Sequence, residues 1–487
     1  MGRKSLTPKS RKRDMLFHPA IILSPVTSTF HNMEKGRAVA RRFFIERVCV
    51  MERIIIEGAR RLEGEISVQG SKNSALPIIA ATVAAEGECI LHNCPCLTDI
   101  SAALRILEYL GCSVKKDGKS LIIDSTYLAR SDIPDILMHE MRSSIVFLGP
   151  LLSRTGRAFL TTPGGCDIGI RPIDLHQYGM EQLGVAITNE GGRLNCQCGK
   201  KLKGTVINLT FPSVGATENI IIAASTAEGV TTIINAAREP EITDLANFLN
   251  KCGAKIKGAG ESTIVIEGVN KLHGTEHTVI PDRIVASTYM TAAAITGGRI
   301  ALSNVIPMHI IPVMPTFKQA GCRINIDKNH ISLSAPKRLR SFEKIKTMPY
   351  PGFPTDAQAT AMAMASVAAG TSVIIETIFD NRYRHVPELT RLGAHISVEG
   401  RMAVIEGVRQ LNGAIVTACD LRGGAALVVA GLAANGITQV REIRHIDRGC
   451  EALEENLRAL GANIRRENFD EREEEKILPE SKARREQ

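Results

Sequence analysis

A single pattern recurs six times along this chain of 487 residues and restricts what it can fold into. An apolar helix end runs into a glycine and then into a pair of strands. The copies read YLGCSVKKDGKSLIID, QLGVAITNEGGRLNC, KCGAKIKGAGESTIVIEG, QAGCRINIDKNHISLSA, RLGAHISVEGRMAVIEG and ALGANIRREN. Their glycines are Gly111, Gly184, Gly253, Gly321, Gly393 and Gly461, spaced by 73, 69, 68, 72 and 68 residues. A second glycine ends an Ala-rich helix upstream of each: Gly87, Gly156, Gly229, Gly298, Gly370 and Gly436. Units of about 70 residues that mix strands with two helices are too large for a solenoid. Six of them predict an α/β protein of two domains, three units each.

The gaps from the upstream glycine to the marker glycine are 24, 28, 24, 23, 23 and 25 residues. The surplus in the second unit falls at PGGCDIGIRP, residues 163–172. Packing alone did not require an insertion in one copy, so it reads as a functional loop. Cys166 sits inside it. Arg171 and Pro172 precede a helix predicted over PIDLHQYGMEQLG, whose N-terminal N–H groups favour an anion and a lowered thiol pKa. A buried, inert cysteine in a tight turn is the alternative.

A net charge of +9, taken whole, would suit a nucleic-acid ligand. Residues 1–50, however, carry eleven Lys/Arg against three Asp/Glu, which leaves +1 for everything else. The basic character belongs to an appendage, and the body is nearly neutral. That appendage has no clear period and reads as a disordered or non-native extension, with a transit segment or a true start at Met51 as alternatives. From Met51 the pattern changes abruptly to MERIIIEGARRLEGEISVQG, two strands joined by a turn. No apolar run reaches the ~18 residues of a membrane span. Twelve cysteines in so long a chain are not a disulfide scaffold, and the Cys94/Cys96 and Cys196/Cys198 pairs lack a partner pair at zinc spacing. No metal is expected, and a cytoplasmic location is.

Several helix starts carry unusual residues. GSKNSALP brings Lys72 and Asn73 to the head of an Ala-rich helix. SVGATEN offers Ser213 as an N-cap, either for capping alone or for an anion. In FPTDAQA, Thr355 and Gln358 have capping-box spacing, which puts Asp356 in the first turn. There it serves the helix dipole or acts as a general base. Arg142, Arg382, Arg422 and Arg448 lie in short polar runs within apolar units. Together with Lys72 and Arg171 they suggest a polyanionic substrate.

The motifs GSKNSALP, MRSSI, PGGCDIGIRPIDLH, SVGATEN, AAREPEITD, FPTDAQA, NRYRHVPEL, DLRGGAAL and HIDRG resemble, in order from about Met51 to about Arg466, the UDP-N-acetylglucosamine enolpyruvyl transferases. The resemblance implies a two-domain inside-out α/β barrel built from six repeats of about 70 residues. One domain is then discontinuous, 51–71 plus 281–466, and the other spans 72–280. Residues 1–50 form an extension and 467–487 a charged tail. It implies transfer of the enolpyruvyl group of phosphoenolpyruvate to the 3′-hydroxyl of UDP-N-acetylglucosamine, without metal or organic cofactor. That reaction is the first committed step of peptidoglycan synthesis. Cys166 matches the general acid, Asp356 the acceptor of the hydroxyl proton, and Lys72 a third catalytic group. Lys72, Asn73, Arg171, Arg382, Arg422 and Arg448 match the phosphoenolpyruvate site. Asn73, Arg142, Arg171, Pro172, Ile173, Asp174, Leu175, Phe211, Pro212, Ser213, Val214, Asp356 and Ile378 match positions that hold the UDP-sugar. The expected partners are these two small molecules, with neither nucleic acid nor membrane, and the expected state is a monomer. A shikimate-specific sister enzyme, which lacks the loop cysteine, and a non-enzymatic binding protein are the competing readings.

Overall fold

The computed structural model describes residues 51–162 and 172–469. Residues 1–50, 163–171 and 470–487 lie outside the described residues, and with them Cys166, Arg171 and most of the charged tail. The tail's first three residues do not behave as a tail. The last strand, Asn463–Phe469, continues through them because each finds a backbone partner on Met51–Arg53.

All six marker glycines have φ between 89° and 102°, in the left-handed region where a Cβ would be strained. Each ends an outer helix, and in the first five units it starts a strand hairpin, as in Thr98–Leu110 followed by Ser113–Asp117 and Ser120–Asp124; in the sixth it starts the single strand Asn463–Phe469. Five upstream glycines have positive φ as well. In the fourth unit Gly297 takes that role instead, and Gly298 lies flat against the Leu62 carbonyl.

Every unit contributes a four-stranded sheet, in which a short edge strand runs parallel to its neighbour and the rest is antiparallel. Strand residues alternate between buried and exposed, as in Thr371–Ile375, so one sheet face packs inward. What it packs on is a set of Ala-rich helices that are buried nearly all round: α1 (Lys72–Ala81), α2 (Leu148–Thr155), α3 (Val214–Ala224), α4 (Arg283–Ile295), α5 (Gln358–Ala365) and α6 (Leu421–Ala433). Small side chains suit such helices because they let neighbouring elements approach closely. Two apolar cores result. One draws on residues between Ala75 and Val279, the other on Ile54–Val68 together with Val285–Ile464.

The opening stretch does not form the hairpin that its sequence suggests. Strand β1 (Met51–Glu57) lies between Ile437–Arg441 and Asn463–Phe469, supplying the strand that the sixth unit lacks. Strand β2 (Glu63–Ser67) pairs in parallel with Arg299–Ser303 of the fourth unit. The first unit takes Glu276–Thr278 as its edge strand instead. The lead-in strands of units one and four are thus exchanged, and the chain crosses between the cores twice. The crossings run side by side: Ser71 N donates to Ile280 O at 2.7 Å and Asp282 N to Gln69 O at 2.9 Å. Gly70 is required there, since a Cβ would come within 1.7 Å of the Asn93 carbonyl oxygen.

No helix among the described residues is long and apolar enough to cross a membrane. Because β1 finds both its neighbours within 437–469, a chain beginning at Met51 is expected to keep the thermal stability and turnover of the full-length protein. Calorimetry and a turnover assay check this, and a clear fall in melting temperature on truncation would contradict it.

Candidate active site

The site is assembled where the two crossings deliver helix starts to the seam between the cores. Lys72 opens α1, and its N–H donates to Asp282 Oδ2 at 3.3 Å. Its ammonium is buried and donates from Nζ to Asp99 Oδ2 at 2.8 Å. Asp99, in the first turn of Thr98–Leu110, also accepts from Arg448 Nε at 2.9 Å. Arg448 comes from the opposite core's side, at the end of the 3-10 turn Ile443–Arg448. One buried carboxylate thus gathers two cations, one 27 residues before it in the chain and the other 349 residues after it.

A second cluster forms around Asp356. Arg382 Nη2 donates to Oδ1 at 3.0 Å and Arg422 Nη2 to Oδ2 at 2.8 Å, while Asn73 Nδ2 reaches Oδ2 at 3.5 Å. Both arginines are almost fully buried, and Arg382 also lies 3.9 Å from Asp420. Burial alone would raise the Asp356 carboxyl pKa. Arg422, Arg382 and Lys72 together outweigh it and hold the group well below the ordinary carboxylate range. For Asp99, burial likewise opposes ionisation, and Lys72 and Arg448 overcome it. Lys72 is itself shifted down, first by burial, with Arg422 and Arg448 adding to the effect and Asp99 opposing it. The two directions are compatible, because two cations act on Asp99, whereas on Lys72 burial is the largest effect and two further cations add to it.

The remaining candidates gather around the start of α3. Ser213 caps that helix, its hydroxyl accepting from Ala216 N at 3.4 Å. His176 packs against Gly215, and Asn219 Nδ2 lies 2.7 Å from His176 Nδ1 and 3.0 Å from the Ile145 carbonyl oxygen. These contacts join three candidate segments: the turn opened by Arg142, the Pro172–Leu175 stretch, and Phe211–Val214. Phe211 is exposed, while Ile173, Leu175 and Val214 pack on the first core. Burial, with help from the Arg142 charge, pushes the His176 pKa down to about 4, so its ring is neutral. Ile378 lies on the other core's side, its N–H donating to Glu376 Oε1 at 2.8 Å.

Two local expectations fail. Thr355 and Gln358 form no capping box: the Thr355 hydroxyl donates to Glu376 Oε2 at 3.0 Å, because residues 355–357 are a 3-10 turn and α5 starts only at Gln358. The helix predicted to begin at Pro172 begins at Asp174, with Ile173 as its cap residue. Asp99, Asp282 and Asp420 were not singled out from sequence. For Asp99 no signal exists, since an Asp in a first helical turn is commonplace. For Asp282 and Asp420 there was one: with Asp356 they occupy equivalent positions, the starts of the three buried helices of one core. Asp282 and Asp420 accept backbone N–H groups of their own helices, whereas both oxygens of Asp356 go to arginines.

Residues 56–457 match the profile of the family described as EPSP synthase (3-phosphoshikimate 1-carboxyvinyltransferase). The chain belongs to the enolpyruvyl transferase family. Its relatives at about half identity are UDP-N-acetylglucosamine 1-carboxyvinyltransferases. That named number 2 of Caldanaerobacter subterraneus subsp. tengcongensis is 51% identical over 414 residues, 85% of this chain and 99% of the relative. The protein of that name from Finegoldia magna is 49% identical over 419 residues, with the same coverage. Among solved structures, the enolpyruvyl transferase NikO from Streptomyces tendae aligns with a TM-score of 0.78 at 25% identity, over 86% of this chain and all of its own. The EPSP synthase of Acinetobacter baumannii aligns at 0.66 with 19% identity over the same shares, a likeness of fold alone. The two-domain α/β architecture and the six-unit reading accord with these relatives.

Proposed function

We propose that this chain transfers the enolpyruvyl group of phosphoenolpyruvate to the 3′-hydroxyl of UDP-N-acetylglucosamine and releases phosphate, the entry step of peptidoglycan synthesis. The observation that carries this reading is the identity of about one half over nearly the whole length of UDP-N-acetylglucosamine 1-carboxyvinyltransferases. The site chemistry supports it. Phosphoenolpyruvate presents a phosphate and a carboxylate, and their burial requires several fixed cations. Lys72, Arg382, Arg422 and Arg448 are four such cations, each already paired with Asp99 or Asp356.

In this reading the sugar 3′-oxygen bonds to C2 of phosphoenolpyruvate while Cys166 gives a proton to C3. The hydroxyl proton passes to Asp356. Loss of phosphate from C2 and of a proton from C3 then restores the double bond. A carboxylate held as low as Asp356 is a weak base. Its proton affinity rises when the substrate anion draws Arg382 and Arg422 away, which couples deprotonation of the sugar to occupancy of the anion site.

Phosphate release measured with UDP-N-acetylglucosamine and, separately, with shikimate 3-phosphate tests the assignment. Turnover is expected with the first only, and turnover with the second or with neither would overturn it. Lys72→Ala and Arg448→Ala probe the anion site. Truncating one partner of a buried charge pair costs about 2–5 kcal/mol, so phosphoenolpyruvate use should fall at least about thirtyfold. UDP-sugar affinity should change little, and an equal fall in both would place these cations elsewhere in the mechanism.

A further inference from the structure

Arg448 sits on a segment with an uncommon backbone. The turn Ile443–Arg448 follows Glu442 at φ 55°, ψ 38°, and Ala452 beyond it has φ 47°, ψ 47°. Both are non-glycine residues in the left-handed region, a state that persists only where surrounding contacts over-determine it. Two sets of contacts do so here. On one side, Arg466 of the strand Asn463–Phe469 binds Asp447 in two parallel contacts, Nη1 to Oδ2 at 3.1 Å and Nη2 to Oδ1 at 2.7 Å. The same guanidinium donates from Nε to Glu454 Oε1 at 2.8 Å and from Nη1 to Glu52 Oε2 at 3.2 Å. On the other side, the buried Gln69 amide donates to the Gly449 carbonyl at 3.3 Å and accepts from Glu451 N at 2.8 Å.

We propose that Arg466 is a positioning residue for Arg448, acting through Asp447, with Gln69 as the second anchor of the same segment. Asp447 directly precedes Arg448, so fixing its carboxylate fixes the backbone from which the Arg448 guanidinium reaches Asp99. A lysine cannot replace Arg466, since a single ammonium does not hold two carboxylates in fork geometry. Gln69 adds a link to the crossing itself, because its own carbonyl accepts from Asp282 N. The segment is thereby tied to the crossing backbone and to the edge strand Asn463–Phe469 at once.

The inference rests on Arg448 contacting phosphoenolpyruvate, and the experiment separates the two. Arg466→Lys and Gln69→Met are made singly and in the Arg448→Ala background. Melting temperature, UDP-N-acetylglucosamine dissociation constant and phosphoenolpyruvate KM are measured, with calorimetric binding where turnover is too slow to follow. Each single change is expected to raise the phosphoenolpyruvate KM at least tenfold and to leave UDP-sugar affinity within twofold. In the Arg448→Ala background neither should add more than twofold. A full additional loss in that background, an equal loss of UDP-sugar affinity, or an unchanged KM in both variants would overturn the proposal. If Arg466→Lys does not fold, Gln69→Met decides alone. An Arg448→Ala protein with normal phosphoenolpyruvate affinity removes the contact on which the inference rests and overturns it there, whereas a parent protein inactive on this substrate pair overturns the functional reading itself.

Discussion

Cys166→Ser is expected to lose turnover by about 10²–10⁴-fold, the range that a positioned general acid contributes. A serine hydroxyl is too weak an acid to protonate the methylene carbon. Cys166→Asp is the sharper variant, because a carboxyl group can donate a proton: activity should partly survive with a lower pH optimum. A phosphonate epoxide that mimics phosphoenolpyruvate, such as fosfomycin, should alkylate Cys166 selectively and faster with UDP-N-acetylglucosamine bound. The other thiols make that selectivity readable in one mass spectrum. Burial pushes Cys94 and Cys322 up to about 12 and Cys196 and Cys450 up to about 11, so all four are poor nucleophiles at neutral pH. Cys96 is exposed and reports background labelling. Alkylation centred on any cysteine other than Cys166, or a fully active Cys166→Ser protein, would return the loop to a structural turn.

Asp356→Ala should be the most damaging change among the described residues. It strips the carboxylate from two arginines that are 3% and 5% exposed. Removing a buried charge's partner costs about 3–5 kcal/mol, and about 3 is expected here because a quarter of the Asp356 side chain reaches solvent and Arg382 keeps Asp420 at 3.9 Å. Turnover should fall by at least about a hundredfold. Asp356→Asn keeps the shape and should recover part of the stability and little of the turnover. The pH dependence has a definite sign. The folded-state pKa of Asp356 is depressed, so its stabilisation is complete above the ordinary value of 3.8 and is lost as pH falls below it toward the folded value. Asp99 acts in the same direction. Melting temperature followed from pH 7 to pH 3 should therefore drop more steeply below about pH 4 in the parent than in Asp356→Asn. Parallel curves would show that Asp356 is not held ionised by its arginines.

Much of this architecture could be read from spacing alone, because a helix-terminating glycine has one physical job and repeats it. Gly111 through Gly461 all adopt the left-handed conformation that their position demanded. The exchange of β2 with Glu276–Thr278 was not legible from spacing. Each strand carries the same short alternation, and which sheet it joins is decided by long-range pairing that no local pattern records. The site divides in the same way. Lys72, Asp356 and the arginines stand out as charges among apolar neighbours, whereas Asp99, the carboxylate on which Lys72 and Arg448 meet, looks like any acid at a helix start. The Thr355–Gln358 spacing misled because a capping box presumes a helix beginning at once, and a 3-10 turn intervenes.

The placement of β1 sets a schedule for synthesis. The strand leaves the ribosome early, yet both of its neighbours, Ile437–Arg441 and Asn463–Phe469, are translated about 380 residues later. At about 5–20 residues per second the wait lasts roughly 20–75 s. The first core can close during that interval, since its strands and buried helices all lie between the two crossings. Meanwhile the run Ile54–Ile56 has no sheet to join and is open to pairing with other nascent chains. Glu52, Arg53 and Glu57 border it with charge, the usual guard against such association. A circular permutant that places β1 after Phe469 would abolish the delay while keeping every strand pair, and its yield of soluble protein would measure what the delay costs the cell.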